Sequence, residues 1–197
     1  WQTKDVLAVI ESPESHLERL LEQTSGGTIE LSRALELVAL AYSMPRLASH
    51  VSGEVWWRIA ERLHEIACDS QHQHVDWPGD PRDVLRQQLL AGELPLALGY
   101  LFPELRALRS LCDSARSALS EALLELTDGQ GLPHAQLLPV LGPLFECWTR
   151  CRWLGKRVKG GAWSSDADLQ YQWHIRHALR LADSSGHFVL TSTDEVR

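Results

Sequence analysis

The residue types best suited to chemistry crowd into one stretch of the chain. Residues 147–180 hold Trp148, Trp153, Trp163 and Trp173, half of the eight tryptophans in a sequence with only three Phe and three Tyr. The same stretch carries Arg150, Arg152, Lys156, Arg157, Lys159, Arg176 and Arg180 against Asp166 and Asp168, a balance of +5. Residues 1–146 carry 11 basic and 21 acidic side chains and residues 181–197 add −2, so the net −7 of the chain conceals a basic island. Positive charge concentrated locally in an acidic protein fits a site for an anion, not a general affinity for nucleic acid or for a membrane surface.

On helical periodicity, Tyr171, Ile175, Ala178 and Ala182 form an apolar stripe, and Leu169, Trp173, Arg176, His177 and Arg180 lie away from it. The preceding segment repeats the pattern, with Leu141, Phe145, Trp148 and Gly155 inward and Arg150, Trp153 and Arg157 on another face. A basic turn, Lys156 to Trp163 with Gly160 and Gly161, joins the two. Indole faces stack on sugar rings, and arginine forks grip carboxylates or sulfates through paired hydrogen bonds. The expected binding set for an acidic saccharide is therefore Arg150, Trp153, Arg157, Lys159, Trp163, Trp173, Arg176 and Arg180. The same residues also suit surface pairs in which arginine stems cover indole rings and bind nothing. His177 is a candidate general acid, base or substrate orienter, and a solvated or core-edge histidine pair with His174 is the simpler alternative.

Other chemistries are thinly represented. Cys68, Cys112, Cys147 and Cys151 form no CxxC pair, and Cys147 and Cys151 lie four apart on a helix, a poor geometry for a disulfide, so all four read as buried free thiols. Cys68, His72 and His74 offer three zinc donors without a fourth nearby in sequence, so no metal or other cofactor is assigned. There is no GxSxG, Walker loop, GxGxxG or HExxH. No apolar run approaches the roughly 18 residues of a membrane span.

The elements that must position these residues read as helices throughout. Short segments are expected at 3–11 and from Ser12-Pro13-Glu14 to Gly26-Gly27, followed by helices near 29–43, ended by Pro45, and 53–69, capped by Ser52. Asp80-Pro81 opens another helix. Gly92, Pro95, Gly99 and Pro103 predict broken turns from Ala91 to Leu105. Helices near 104–127, 134–156 (bent at Pro139 or Pro143) and 166–182 follow, and only Phe188-Val189-Leu190 looks like a strand. The expected fold is all-α, a single domain over 1–197 built from antiparallel helical hairpins, with little or no β structure. The chain begins at Trp1 and its one methionine is Met44, so it reads as part of a longer protein and its compartment is left open.

Two segments resemble a known family. Leu89 to Glu104 (LLAGELPLALGYLFPE) and Gln170 to Ala182 (QYQWHIRHALRLA) are similar to the helical N-terminal region of bacterial heparinase II/III-like proteins of planctomycete type. The resemblance implies an incomplete (α/α) toroid, completed in the whole protein by a C-terminal β-rich domain, that forms one wall of a cleft for uronate-containing polysaccharide. It also implies cleavage by β-elimination, in which a base removes the proton α to the uronate carboxylate and an acid protonates the leaving oxygen. Tyr171 and His177 are the groups nearest that role here, although Tyr171 falls on the core stripe. A lyase of this kind would be periplasmic or extracellular. The alternative is a non-catalytic helical scaffold that holds a protein partner through the same Trp/Arg surface.

Overall fold

The structure, a computed structural model, describes Arg19 and residues 29–72 and 78–183. The segments at 3–11 and 12–27, His74 and the strand at 188–190 lie outside the described residues. Helix α1 runs Leu31–Leu47, α2 Gly53–Gln71 and α3 Pro81–Gln87. A π-helical segment, Gln88–Glu93, leads into α4, Leu94–Leu101. Then come α5, Arg106–Glu125, a 3₁₀ segment, Ala135–Val140, α6, Leu141–Gly155, and α7, Ser165–Leu181. The fold is all-α. Between described residues there is one isolated β-bridge, Thr127 to Pro133, and among the described residues no helix is long and apolar enough to cross a membrane.

Three helices begin where their caps dictate. Ser52 accepts from the Val55 amide, Asp80 from Arg82, with Pro81 in the first turn, and Ser164 from Ala167. Each satisfies an amide that has no partner within its own helix. Helix α1 departs from expectation, because Pro45 lies inside it and the helix ends two residues later. Within the last turn a proline removes a single ladder bond, and the Met44 carbonyl there takes both the Ala48 amide and the Trp56 indole N–H.

The larger departure is at the centre. Gln88 to Gly99 are all buried, and the helix continues to Leu101 through most of the stretch expected to break, which is interrupted only at Phe102 to Leu105. A helix that is apolar on every side must be wrapped by others, and the π segment packs against α1, α2, α5 and α6 as well as its flanking helices. Pro95 is accommodated by the wide turn before it. The Leu94 amide donates to Leu89, five residues back, which displaces the carbonyls that a proline ring would strike in a regular helix. Gly92 and Gly99 face α5 and permit close approach. A Cβ on Gly92 would lie 2.6 Å from Leu119 Cδ2, and one on Gly99 would lie 3.1 Å from the Leu108 carbonyl and collide with the Cys112 sulfur.

Helices α6 and α7 pair antiparallel through their side chains. Phe145 packs on His174 and Tyr171, the Thr149 and Tyr171 hydroxyls are 2.9 Å apart, and Arg152 meets Asp168 at 3.1 Å. The expected bend in the 134–156 helix is the change from 3₁₀ to α geometry at Val140. The turn between α6 and α7 uses Gly160 and Gly161 at φ of +90° and +81°. Arg116 of α5 fixes this turn by donating to the carbonyls of Lys159 and Gly161.

Candidate functional site

A stripe of α6 with Glu146, Arg150 and Trp153, continued by Arg157 in the turn just past the helix, faces away from α7 and meets Glu93 of the π segment and Tyr100 of α4. Two sets of contacts form there, one helical repeat apart, because Glu93 and Tyr100 are seven residues apart in sequence and so are Arg150 and Arg157.

The first set is buried. Glu93 has no exposed surface, and its carboxylate accepts from Arg150 Nε at 2.5 Å, Arg150 Nη2 at 2.9 Å and the Tyr42 hydroxyl at 3.0 Å. Arg150 is partly exposed and also lies 3.6 Å from Glu146. Burial, then the adjacent Glu93 charge, push the Tyr42 phenol well above its ordinary range, and the hydrogen bond to Glu93 raises the Arg150 guanidinium. Behind the carboxylate are Cys147 and Cys151, also fully buried, and nearby the Trp148 indole donates to Gln88 at 3.2 Å. Arg150, expected to grip a ligand, is instead held by a carboxylate of its own chain.

The second set is open to solvent. Trp153 is 53% exposed, the Arg157 guanidinium lies 5.5 Å above its ring, Arg157 Nη1 donates to the Tyr100 hydroxyl at 3.1 Å, and the Tyr100 and Trp153 rings meet edge-on at 5.6 Å. A cation, an indole and a phenol thus share one surface.

The remaining expected residues divide. Trp163 is buried, its indole donating to Asp168 at 3.2 Å and its ring packed on Tyr171, so it offers no stacking face. Tyr171 is buried beneath the Arg152 guanidinium, as its place on the core stripe implied, and burial raises its phenol above the ordinary value. Asp168 is pushed up by burial, but hydrogen bonds from Gln172, Trp163 and Arg152 outweigh this and hold it below the usual carboxylate value. A cleft of about 280 Å³ lies here, lined by Arg152, Lys156, Trp163, Ser164, Ser165 and Asp168. Lys159 is exposed on the adjoining turn.

Trp173 and His177 belong to a different neighbourhood. A Cβ on Gly131 would lie 2.6 Å from that of Trp173, and His177 Nε2 donates to the Gln130 carbonyl at 3.1 Å. Arg176 and Arg180 are exposed. Arg176 is eight residues beyond Asp168, about 12 Å along α7 and away from Trp153. His177 and Tyr171 lie on different faces of α7 and are not brought together. Cys68 and His72 do not converge on a common point, since His72 Nδ1 meets the Cys68 carbonyl while the thiol faces His64.

Sequence reasoning missed Tyr42, Glu93 and Tyr100. The signal was there for Glu93, the only charged residue between Leu89 and Leu101. Comparison with family models, curated proteins and solved structures returns no match for this chain.

Proposed function

We propose that this helical domain binds an acidic saccharide on the surface formed by Tyr100, Trp153 and Arg157. The observation that carries the reading is the exposed indole with a guanidinium over it and a phenol beside it. Such a group offers ring faces to a sugar and a cation to its carboxylate or sulfate. Lys156 and Lys159, exposed at the end of α6 and on the turn that follows, extend the positive surface.

On this reading the chain is the helical part, an incomplete (α/α) toroid, of a heparinase II/III-like protein of polysaccharide-lyase type. The resemblance of Leu89–Glu104 and Gln170–Ala182 supports it. With Tyr171 buried and His177 apart from it, β-elimination would need acid and base groups from a β-rich region of the same protein, and the helical domain alone would bind without cleaving.

Titration of tryptophan fluorescence with heparin and with alginate at low salt tests the reading. A saturable response that disappears in Trp153→Ala and weakens in Arg157→Ala is expected, with Arg180→Ala behaving as wild type. No response to either polymer would overturn it. The second reading, a scaffold for a protein partner, draws support from a different surface, where half-exposed Trp57 borders a groove of about 400 Å³ with Ala60, Leu105 and Leu108.

A further inference from the structure

We propose that Cys147, Cys151 and Glu93 form a binding site for a thiophilic divalent cation of the zinc and cadmium class, independent of the saccharide reading. The two sulfurs and a carboxylate oxygen lie within 4.8 Å of one another, and all three residues are buried. Cys147 and Cys151 are one turn apart on α6, a spacing that strains a disulfide but lets both sulfurs face one point. A tetrahedral ion with bonds of 2.3 Å to sulfur holds two sulfurs about 3.8 Å apart, so the donors need to close by no more than about 1 Å.

The carboxylate has room for the ion. It offers about four lone-pair directions, and Arg150 Nε, Arg150 Nη2 and the Tyr42 hydroxyl take three of them. The Cys147 and Cys151 sulfurs both lie within 4.8 Å of a carboxylate oxygen, close enough to share an ion with it.

Charge balance makes the exchange feasible in a buried place. Without metal, Glu93 and Arg150 cancel and the thiols are neutral. On binding, each thiol loses its proton to solvent, two metal–sulfur bonds form, and two thiolates balance the ion's charge. The cluster stays neutral, so the heavy desolvation penalty of a lone buried ion does not arise. Tyr42 and Arg150, both partly exposed, link the cluster to the surface.

The experiment is titration of the reduced full chain with Co(II) and with Cd(II), following thiolate-to-metal charge-transfer absorbance, with native mass spectrometry for stoichiometry. One ion per chain is expected. The band should vanish in Cys147→Ser and Cys151→Ser, persist in Cys68→Ser and Cys112→Ala, and weaken at least about tenfold in affinity in Glu93→Gln. Absence of a band at excess metal, or its survival in the Cys147→Ser/Cys151→Ser double variant, would overturn the proposal. Should the core variants misfold, thiol alkylation of the wild-type chain in mild denaturant decides it. Cd(II) must slow the modification of Cys147 and Cys151 but not of Cys112, and equal rates with and without Cd(II) reject the site.

Discussion

Arg150, on α6, and Arg157, just past its end, are the same residue type seven residues apart, yet their surroundings give them different work. Arg150 neutralises a carboxylate with no exposed surface, and Arg157 covers an indole open to water. Removing Arg150 leaves an unpaired buried charge, so Arg150→Ala should destabilise the fold by about 3–5 kcal/mol in urea unfolding. Glu93→Ala should cost less, because Arg150 can turn toward water. Sequence pattern singled out Trp153 and Arg157 because they leave the apolar stripe of their own helix. It could not reveal Glu93 opposite Arg150, since that partner is 57 residues away. Nor could it show that the Trp163 indole turns inward to Asp168. His174 carries a pH prediction. Its Nδ1 donates to the Gly131 carbonyl, its Nε2 is buried with no partner among the described residues, and burial lowers its pKa. The unfolded chain therefore binds the proton more readily, so the stability that His174 contributes is present above its unfolded value of about 6.5 and is lost as pH falls through its lower folded value. The melting temperature should drop between pH 7.5 and 5, and less so in His174→Gln. Asp168 and Asp128, whose pKa values are also lowered, titrate at more acidic pH and leave that window clear.

At the scale of elements, caps located α2, α3 and α7 and apolar periodicity located α5 and α6, because both signals are local: an oxygen before the first turn, or leucines at helical spacing. The centre was misread for an equally physical reason. Glycine and proline break helices in water, but between Gln88 and Leu101 the neighbouring helices supply what the local chain lacks. Gly99→Ala should destabilise by about 1–3 kcal/mol, since the added methyl meets the Cys112 sulfur and the Leu108 backbone. Gly92→Ala should cost less, because its obstacle is the end of the Leu119 side chain. Thermal unfolding of the two variants checks the order, and a Gly92→Ala variant less stable than Gly99→Ala would contradict this account of the α4–α5 contact.

For the whole molecule, the all-α class followed from composition and spacing, while the arrangement around a buried central helix depends on contacts between segments distant in sequence. The surface chemistry is equally non-local, since Tyr100 reaches Arg157 across 57 residues. Because that cluster is exposed, the proposed saccharide binding should weaken steeply as salt is raised from about 0.01 to 0.15 M, where screening shortens to about 8 Å. Folding stability, resting on apolar burial and the half-buried Glu93–Arg150 pair, should change little, and parallel fluorescence titrations and melts separate the two. The wide turn at Gln88–Glu93 gives the central helix one more residue than a regular ladder needs. Deleting a single residue there would let the ladder close normally while rotating one half of the helix by about 100° against the other. Everything on its surface would be re-aimed at once: with α3 held in place, Glu93 would swing from Arg150 and Tyr100 from Trp153, so one inserted residue serves as the angular setting that brings the buried and the exposed contacts into line.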